Sequence, residues 1–354
     1  MEGSLVADVG VESNAVMSLR DALALGPDAW NRVERASPFM SWAWHRAWAE
    51  SAPAGELDAC RVFVTPHAVL PLRLAKVRFR RAWVRALIWA IGDTGCPDEL
   101  DVPAGAETDW DALAAALDAL PWQVVILSNL AEPAPHANRL FDALRRRGHA
   151  VRNGTLWSCP ALELPSSWHA YLGTLSANRR QILRRKERGL VRDRAARLVD
   201  YGADRLDEGW GHLLRLHEQR WDGPGAFRDP RAARLQREFA GEMARRNQLW
   251  LTTLDLDGQP AAAWYGFTNG DTVYFYQGGR DPRWERESVG LVLMGMMIRR
   301  AIERGYRVFD FLRGDDPYKK QWTTARRTTT ETVVFRSGWR SLWVRALDTA
   351  ARHG

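Results

Sequence analysis

Apolar positions along the first half of the chain switch between a repeat near 3.6 and a repeat of two, and each switch marks an element. In MSWAWHRAWAE, residues 40 to 50, Trp44 and Trp48 lie four apart and predict a short helix with one apolar face. CRVFVT and AVLPLRLAKV then read as a hairpin, and WVRALIWAIG as a further strand. TDWDALAAALDAL follows as a helix, WQVVILSNL as a buried strand, and ANRLFDALRRRG as a helix closed by Gly148. Together these predict one mixed α and β domain over residues 1–165.

The second half, 166–354, opens on SSWHAYLGTLSANRRQILRRKERGL, where Leu172, Leu175, Ile182 and Leu183 line one side of a helical pattern and arginines the other. DEGWGHLLRLHEQRW and DPRAARLQREFAGEMARR continue as helices. LWLTTLDLDG, PAAAWYGFTN and DTVYFYQGG then alternate as strands around the turn sequences DLDGQP and TNGD, which predicts an antiparallel meander. A helix from Ser288 to Arg304, a strand YRVFDFLRG, a short helix PYKKQWT, a strand TTTETVVFR and an amphipathic helix GWRSLWVRALDTAARHG complete the order. Both halves run from hairpin strands into alternating strands and helices, so a duplicated fold is expected, although no residue-level repeat connects them.

Composition narrows the class. A chain of 354 residues, 46% hydrophobic and 26% charged, has the size of two domains and the balance of a folded one. Glu2, Asp8 and Glu12 break the pattern of a signal peptide, and the longest apolar stretches are too short for a bilayer, so a cytoplasmic protein without a membrane partner is expected. Cys60, Cys96 and Cys159 lie far apart without a CxxC pair, which predicts reduced, buried thiols and no metal. The net charge of +7 comes mainly from arginine. It is compatible with an anionic ligand such as a phosphate-bearing cofactor or RNA, and equally with a genome that favours arginine codons.

The chemistry concentrates between Tyr274 and Trp322. After the strand ending at Gly278 and Gly279 comes a basic loop with Arg280, Arg283 and Arg286, then Ser288 as the expected cap of a helix that begins Val289, Gly290, Leu291. First-turn N–H groups lack intrahelical partners and lie at the positive end of the helix dipole, so this junction is suited to an anion, and a pyrophosphate in particular. In the next strand Phe309 and Phe311 share one face, and Val308, Asp310 and Leu312 the other. An acid in that setting is either a general base or half of a salt bridge. Lys319 follows a Gly-Asp-Asp-Pro turn, where an ammonium can neutralise a phosphate, a carboxylate or a developing oxyanion. Tyr318 and Tyr276 are candidate proton donors or packing residues, and His217, Arg220 and Trp221 are candidates for substrate contact. His217 and Glu218 are adjacent on a helix and face different ways.

SWAWHRAW, LSANRRQILRRKERGL, LHEQRW, YQGGRDPRWERESVGLVLM and above all FDFLRGDDPYKKQW resemble, in this order, the GNAT-superfamily acetyltransferases of the BioF2-like or CelD-like type, related to the FemAB peptidyltransferases. The likeness runs over most of residues 39 to 335 and is densest from 260 to 323. It implies an α+β fold of two tandem GNAT-like domains, each a mixed, mostly antiparallel sheet flanked by helices, with the donor-gripping helix N-terminus in the C-terminal one. The implied activity is N-acyl transfer: an acyl group, acetyl in the simplest case, passes from coenzyme A to an amine of a small molecule, a sugar or an amino-acid derivative. Asp310 and Lys319, with Tyr318, would then be catalytic, and Arg280, Arg286, Ser288, Val289, Gly290 and Leu291 would bind acyl-CoA. The donor loop departs from the general GNAT signature, because ESVGL offers one glycine where several small residues are usual. FemAB relatives imply a different donor, aminoacyl-tRNA, and a partner role for tRNA. A third expectation is an accessory protein of polysaccharide or envelope assembly that keeps the fold without the chemistry.

Overall fold

The computed structural model describes residues 15–353 apart from 32, 34–36, 222 and 224. From the N-terminus run β1 (Ala15–Met17), α1 (Leu19–Ala24), α2 (Gly26–Asn31), α3 (Trp42–Ser51) and α4 (Ala54–Asp58). β2 (Cys60–Thr65), β3 (Ala68–Phe79), β4 (Ala82–Trp89), α5 (Trp110–Asp118), β5 (Val124–Ala131), α6 (Pro135–Arg146) and β6 (Ala150–Glu163) follow. Then come α7 (Trp168–Thr174), α8 (Ala177–Arg194), β7 (Arg197–Asp200), α9 (Leu206–Trp221) and α10 (Pro230–Arg245). β8 (Leu249–Leu256), β9 (Gln259–Asn269), β10 (Thr272–Arg280), α11 (Val289–Glu303), β11 (Val308–Asp310), β12 (Arg326–Phe335) and α12 (Trp339–His353) complete the chain.

The chain forms two compact units, Met1–Trp157 with Thr328–Gly354, and Ser158–Arg327. They divide it differently from 1–165 and 166–354, because β12 pairs with β5 and so groups the last strand and helix with the first unit. In that unit the strands lie in the order β1-β2-β3-β4-β5-β12, antiparallel except for β4 beside β5. Trp44 and Trp48, both fully buried, bear out the apolar face read from residues 40 to 50, and Ser41 caps the helix by accepting the Trp44 N–H at 3.2 Å.

In the second unit the order is β6-β11-β10-β9-β8-β7, with β10 and β11 the parallel pair. The expected meander is β8, β9 and β10. Its core joins Trp250, Trp264 and Phe275 from the strands with Val292, Met297 and Ile298 from α11 and Leu183 from α8. Burying side chains of this size is the main favourable term for the unit, at roughly 1.5 to 3 kcal/mol each.

Several expectations change. The single helix read over 166–190 breaks into α7 and α8 where Ser176 caps the second by accepting the Arg179 N–H at 3.2 Å. β6 and β7 have no counterpart in the sequence pattern: Asn153 and Gly154 interrupt one, and the other is four residues long. YRVFDFLRG narrows to three strand residues, since Leu312 turns to φ +56°, and the PYKKQWT helix is a single 3₁₀ turn, Lys319–Gln321. Cys60 and Cys159 are buried thiols, whereas Cys96 is exposed in the loop after β4.

One glycine fixes how α9 lies on the sheet. A Cβ at Gly279 would come within 2.3 Å of the Leu216 carbonyl carbon and the His217 nitrogen, both backbone atoms that cannot swing aside. Gly279→Ala should therefore lower stability by about 1 to 3 kcal/mol, as overpacking does. Gly211→Ala, within α9 with nothing inside 4 Å of its Cβ, should leave stability unchanged or raise it by up to about 1 kcal/mol. Urea denaturation of the two variants checks the contrast, and an unaffected Gly279→Ala would show that the helix can lift.

Candidate functional site

Strands β10 and β11 pair over three residues only, Thr272 with Val308, Val273 with Phe309 and Tyr274 with Asp310. β10 continues beside β9 to Arg280, with a bulge between Phe275 and Gln277, while β11 stops and the chain turns away. A cavity of about 270 Å³ lies where the two strands part. Its walls are Phe275, Gly278 and Gly279 of β10, Trp264 of β9, Val289 to Leu291, Leu293 and Met294 of α11, and Tyr318, Gln321 and Trp322 after β11. Arg179, Arg220, Arg280 and Glu285 add charge to the lining.

The first turn of α11 opens onto this cavity. Ser288 does not cap it with its side chain: its backbone is left-handed, φ 59° and ψ 43°, and its hydroxyl makes no cap bond. Its carbonyl accepts the Leu291 and Val292 N–H groups at 3.0 and 3.1 Å, and the Val289 and Gly290 N–H groups precede any intrahelical acceptor. The first unit contains the corresponding crossover, α5 between the parallel strands β4 and β5. There Asp109 places its carboxylate on the Ala112 N–H at 2.9 Å. One crossover helix thus starts under its own anion, and the other starts open beside Arg280, whose Cδ would lie 3.6 Å from a Cβ at position 290. The Arg280 guanidinium meets Glu285 at 3.3 Å in a largely exposed pair, which a ligand can displace at little cost.

Behind the Gly278 wall, His217 is buried and does not itself line the cavity. Its Nε2 lies 3.2 Å from the Ala226 N–H and so accepts from it, which leaves Nδ1 as the protonated nitrogen, donating to the Gly278 carbonyl at 3.1 Å. Burial also holds its pKa below the usual imidazole value. Arg220 donates to the same carbonyl at 3.4 Å and stacks on the Tyr318 and Trp221 rings, its Cζ 5.4 and 4.7 Å from their centroids. Burial pushes the Tyr318 hydroxyl up to about 12, against the opposing pull of Arg220. Tyr318 is therefore protonated at neutral pH.

Asp310 and Lys319 are fully or almost fully buried, and neither lines the cavity. Asp310 Oδ1 accepts the Leu312 N–H at 2.7 Å, and Oδ2 lies 3.3 Å from Arg327 Nη1. Lys319 Nζ donates to the Leu312 carbonyl at 3.1 Å and the Arg313 carbonyl at 2.6 Å. The two charges hold opposite sides of one residue, Leu312, whose left-handed backbone needs support. Gly314, at φ +110°, makes room for the ammonium, since a Cβ there would sit 3.3 Å from Nζ. Of the two openings left by the sequence for Asp310, the structure displays the salt bridge.

The cavity brings together Tyr318, Arg220, Arg280, Ser288, Val289, Gly290 and Leu291 among the residues singled out from sequence. Arg286 stays outside, exposed, with its carbonyl bonded by Lys186 Nζ. Tyr276 packs instead against Tyr265 and Phe267, and Trp221 is half exposed beneath Arg220. Arg179, Glu285, Gln321 and Trp322 lie in stretches that carry the resemblance but were not singled out individually: Arg179 is one arginine in a run, yet it reaches Gln321 and lies 5.2 Å over the Trp322 ring.

Residues 177–320 match the family model of the acetyltransferase (GNAT) domain. No curated protein matches the chain. Among solved structures, FemX aligns over 91% of this chain and 96% of its own at TM-score 0.56 and 10% identity. The C-terminal domain of a putative lysylphosphatidylglycerol synthetase from Agrobacterium fabrum aligns over 94% and 96% at 0.54 and 11%. L-PGS from Bacillus licheniformis aligns over 90% and 98% at 0.51 and 13%. At these identities the likeness concerns the fold.

Removing the clamp on Leu312 should cost stability. Lys319→Met leaves two carbonyls without their ammonium partner, one buried and one half-buried, and should destabilise by about 1 to 3 kcal/mol. Lys320→Met, at an exposed residue paired with Asp315, should stay within about 0.5 kcal/mol of wild type. Equal denaturation midpoints for the two variants would contradict the clamp.

Proposed function

We propose, from the match of residues 177–320 to the GNAT acetyltransferase domain, that the protein moves an acyl group, acetyl in the simplest case, from coenzyme A to an amine. A GNAT-type acyltransferase is supported by the GNAT match over residues 177–320 and by the fold shared with FemX. The observation that carries the donor assignment is the uncapped first turn of α11 beside Arg280, at the cavity where β10 and β11 part.

The residues present fit such a donor. Val289 and Gly290 N–H groups with Arg280 supply a cradle for a diphosphate, and position 290 has no side chain to fill it. Trp264, Phe275, Leu293 and Met294 give an apolar wall for an acyl chain and its linker. Coenzyme A supplies the thioester, whose acyl carbon is open to direct attack by an amine. Tyr318, protonated and at the cavity wall, is positioned as proton donor to a departing thiolate. Asp310 and Lys319 act at one remove, by fixing the loop that carries Tyr318.

Coenzyme A should raise the melting temperature of the protein. A ligand at a hundred times its Kd adds about 2.7 kcal/mol, roughly 5 to 10 °C for a unit of this size. Gly290→Glu, which puts a carboxylate on the first turn, should abolish the shift without lowering the unliganded melting temperature by more than a few degrees. A calorimetric scan with millimolar coenzyme A that shows no shift rejects this donor.

A second reading has an observation of its own. Residues 158–327 hold 30 lysines and arginines against 22 acids, while the rest of the chain holds 20 against 21, so the unit with the cavity carries all of the net positive charge. In α8 alone there are eight basic residues and two acids. Such a surface suits the phosphates of an aminoacyl-tRNA, the donor implied by the FemAB resemblance. Under this reading transfer to an amine acceptor should disappear when charged tRNA is treated with ribonuclease; transfer that persists excludes it.

A further inference from the structure

The charge of the cavity is out of balance in a way the donor does not settle. Of its three arginines, Arg280 has Glu285, and Arg179 is turned to the Gln321 side-chain amide oxygen and the Trp322 ring. Arg220 has one backbone carbonyl at 3.4 Å, the Tyr318 hydroxyl and two aromatic faces, and no carboxylate of the described residues lies within ion-pairing distance of it. Desolvation and the like charge of Arg280 work against its charged form, and Tyr318 and the more distant Asp316 offset this only in part. A guanidinium withdrawn from water is costly until an anion with good geometry meets it. With its Cζ over the Trp221 and Tyr318 rings, the group keeps the N–H donors not used by Gly278 and Tyr318 for paired hydrogen bonds, which suit a planar carboxylate.

We infer that Arg220 binds a carboxylate carried by the acceptor, so that the acceptor is an amino acid or a close derivative whose acid group is free. The first turn of α11 and Arg280 provide for the donor's phosphates, and Arg220, on the wall formed by α9, provides for a second anion. Tyr318 links the two, because its ring backs Arg220 and its hydroxyl belongs to the same wall. This inference rests on the acyltransferase reading for the word acceptor; the recognition of a carboxylate stands on the geometry of Arg220.

The test compares free amino acids with their carboxamides, glycine against glycinamide and likewise through the common side chains, by thermal shift and calorimetry on the full chain. At least one free acid should stabilise the wild type beyond its carboxamide. In Arg220→Met its affinity should fall on the order of tenfold to hundredfold, the worth of a hydrogen bond to a charged group, and the acid should lose its advantage over the amide. Arg220→Lys, which keeps the charge but not the fork, should retain part of the preference and serves if the methionine variant does not fold. The inference is overturned if no free acid outperforms its carboxamide on the wild type, or if the preference survives in the folded variant. Coenzyme A is titrated separately: discrimination between acid and amide without any effect of coenzyme A would remove the donor reading and leave this one in place.

Discussion

The hydrogen bonding between β10 and β11 stops after three residue pairs, and the site depends on that stop. A parallel pair that continued would fill the space with backbone. Because β11 ends, the edge of β10 beyond Tyr274 is free to receive other groups, and the Gly278 carbonyl is taken by His217 and Arg220 from α9. The bulge at Phe275 and Gln277 belongs to the same event, since extra residues in one strand bend it and raise its twist. What remains between the strands is the cavity, with the start of α11 on one wall and α9 with Tyr318 on the other.

Charged residues divide into two kinds around this opening. Asp310 and Lys319 bind backbone groups of the loop after β11 and hold the turn at Leu312, and each also meets an opposite charge, Arg327 and Asp316. Arg220 and Arg280 face the cavity, and the apolar side chains behind them lower the local dielectric, so an anion entering there is felt more strongly than on the outer surface. The mutual support of buried Asp310, buried Lys319 and side-chain-free Gly314 also explains why an acidic, glycine-containing and lysine-bearing segment can follow a buried strand without destabilising it.

Most elements were legible from periodicity because their apolar faces are long and continuous: the meander, α9, α10, α11 and β12 all lie where alternation or helical spacing places them. The open start of α11 was legible too, through Gly290 and the arginines before it, but Ser288 was read as its side-chain cap, and a left-handed backbone is not visible in a serine. Asp310 and Lys319 illustrate the limit. Sequence shows that an acid and a lysine lie near a strand end, whereas the partner that decides their role, the Leu312 peptide, depends on where the strand stops. Arg179, Glu285 and Gln321 were missed for a related reason: they lie in stretches that carry the resemblance, but their places at the cavity come from helix packing and from a loop, which the sequence pattern does not single out.

The capped start of α5 has its own consequence. The carboxylate of Asp109 is tied to the helix it caps by a few covalent bonds, so its effective concentration at those N–H groups far exceeds that of any dissolved anion. A freely diffusing phosphate competing for that place faces an opponent that never leaves. The first unit is thus a crossover with its anion built into the chain, whereas the Ser288 side chain makes no such cap on the helix of the second.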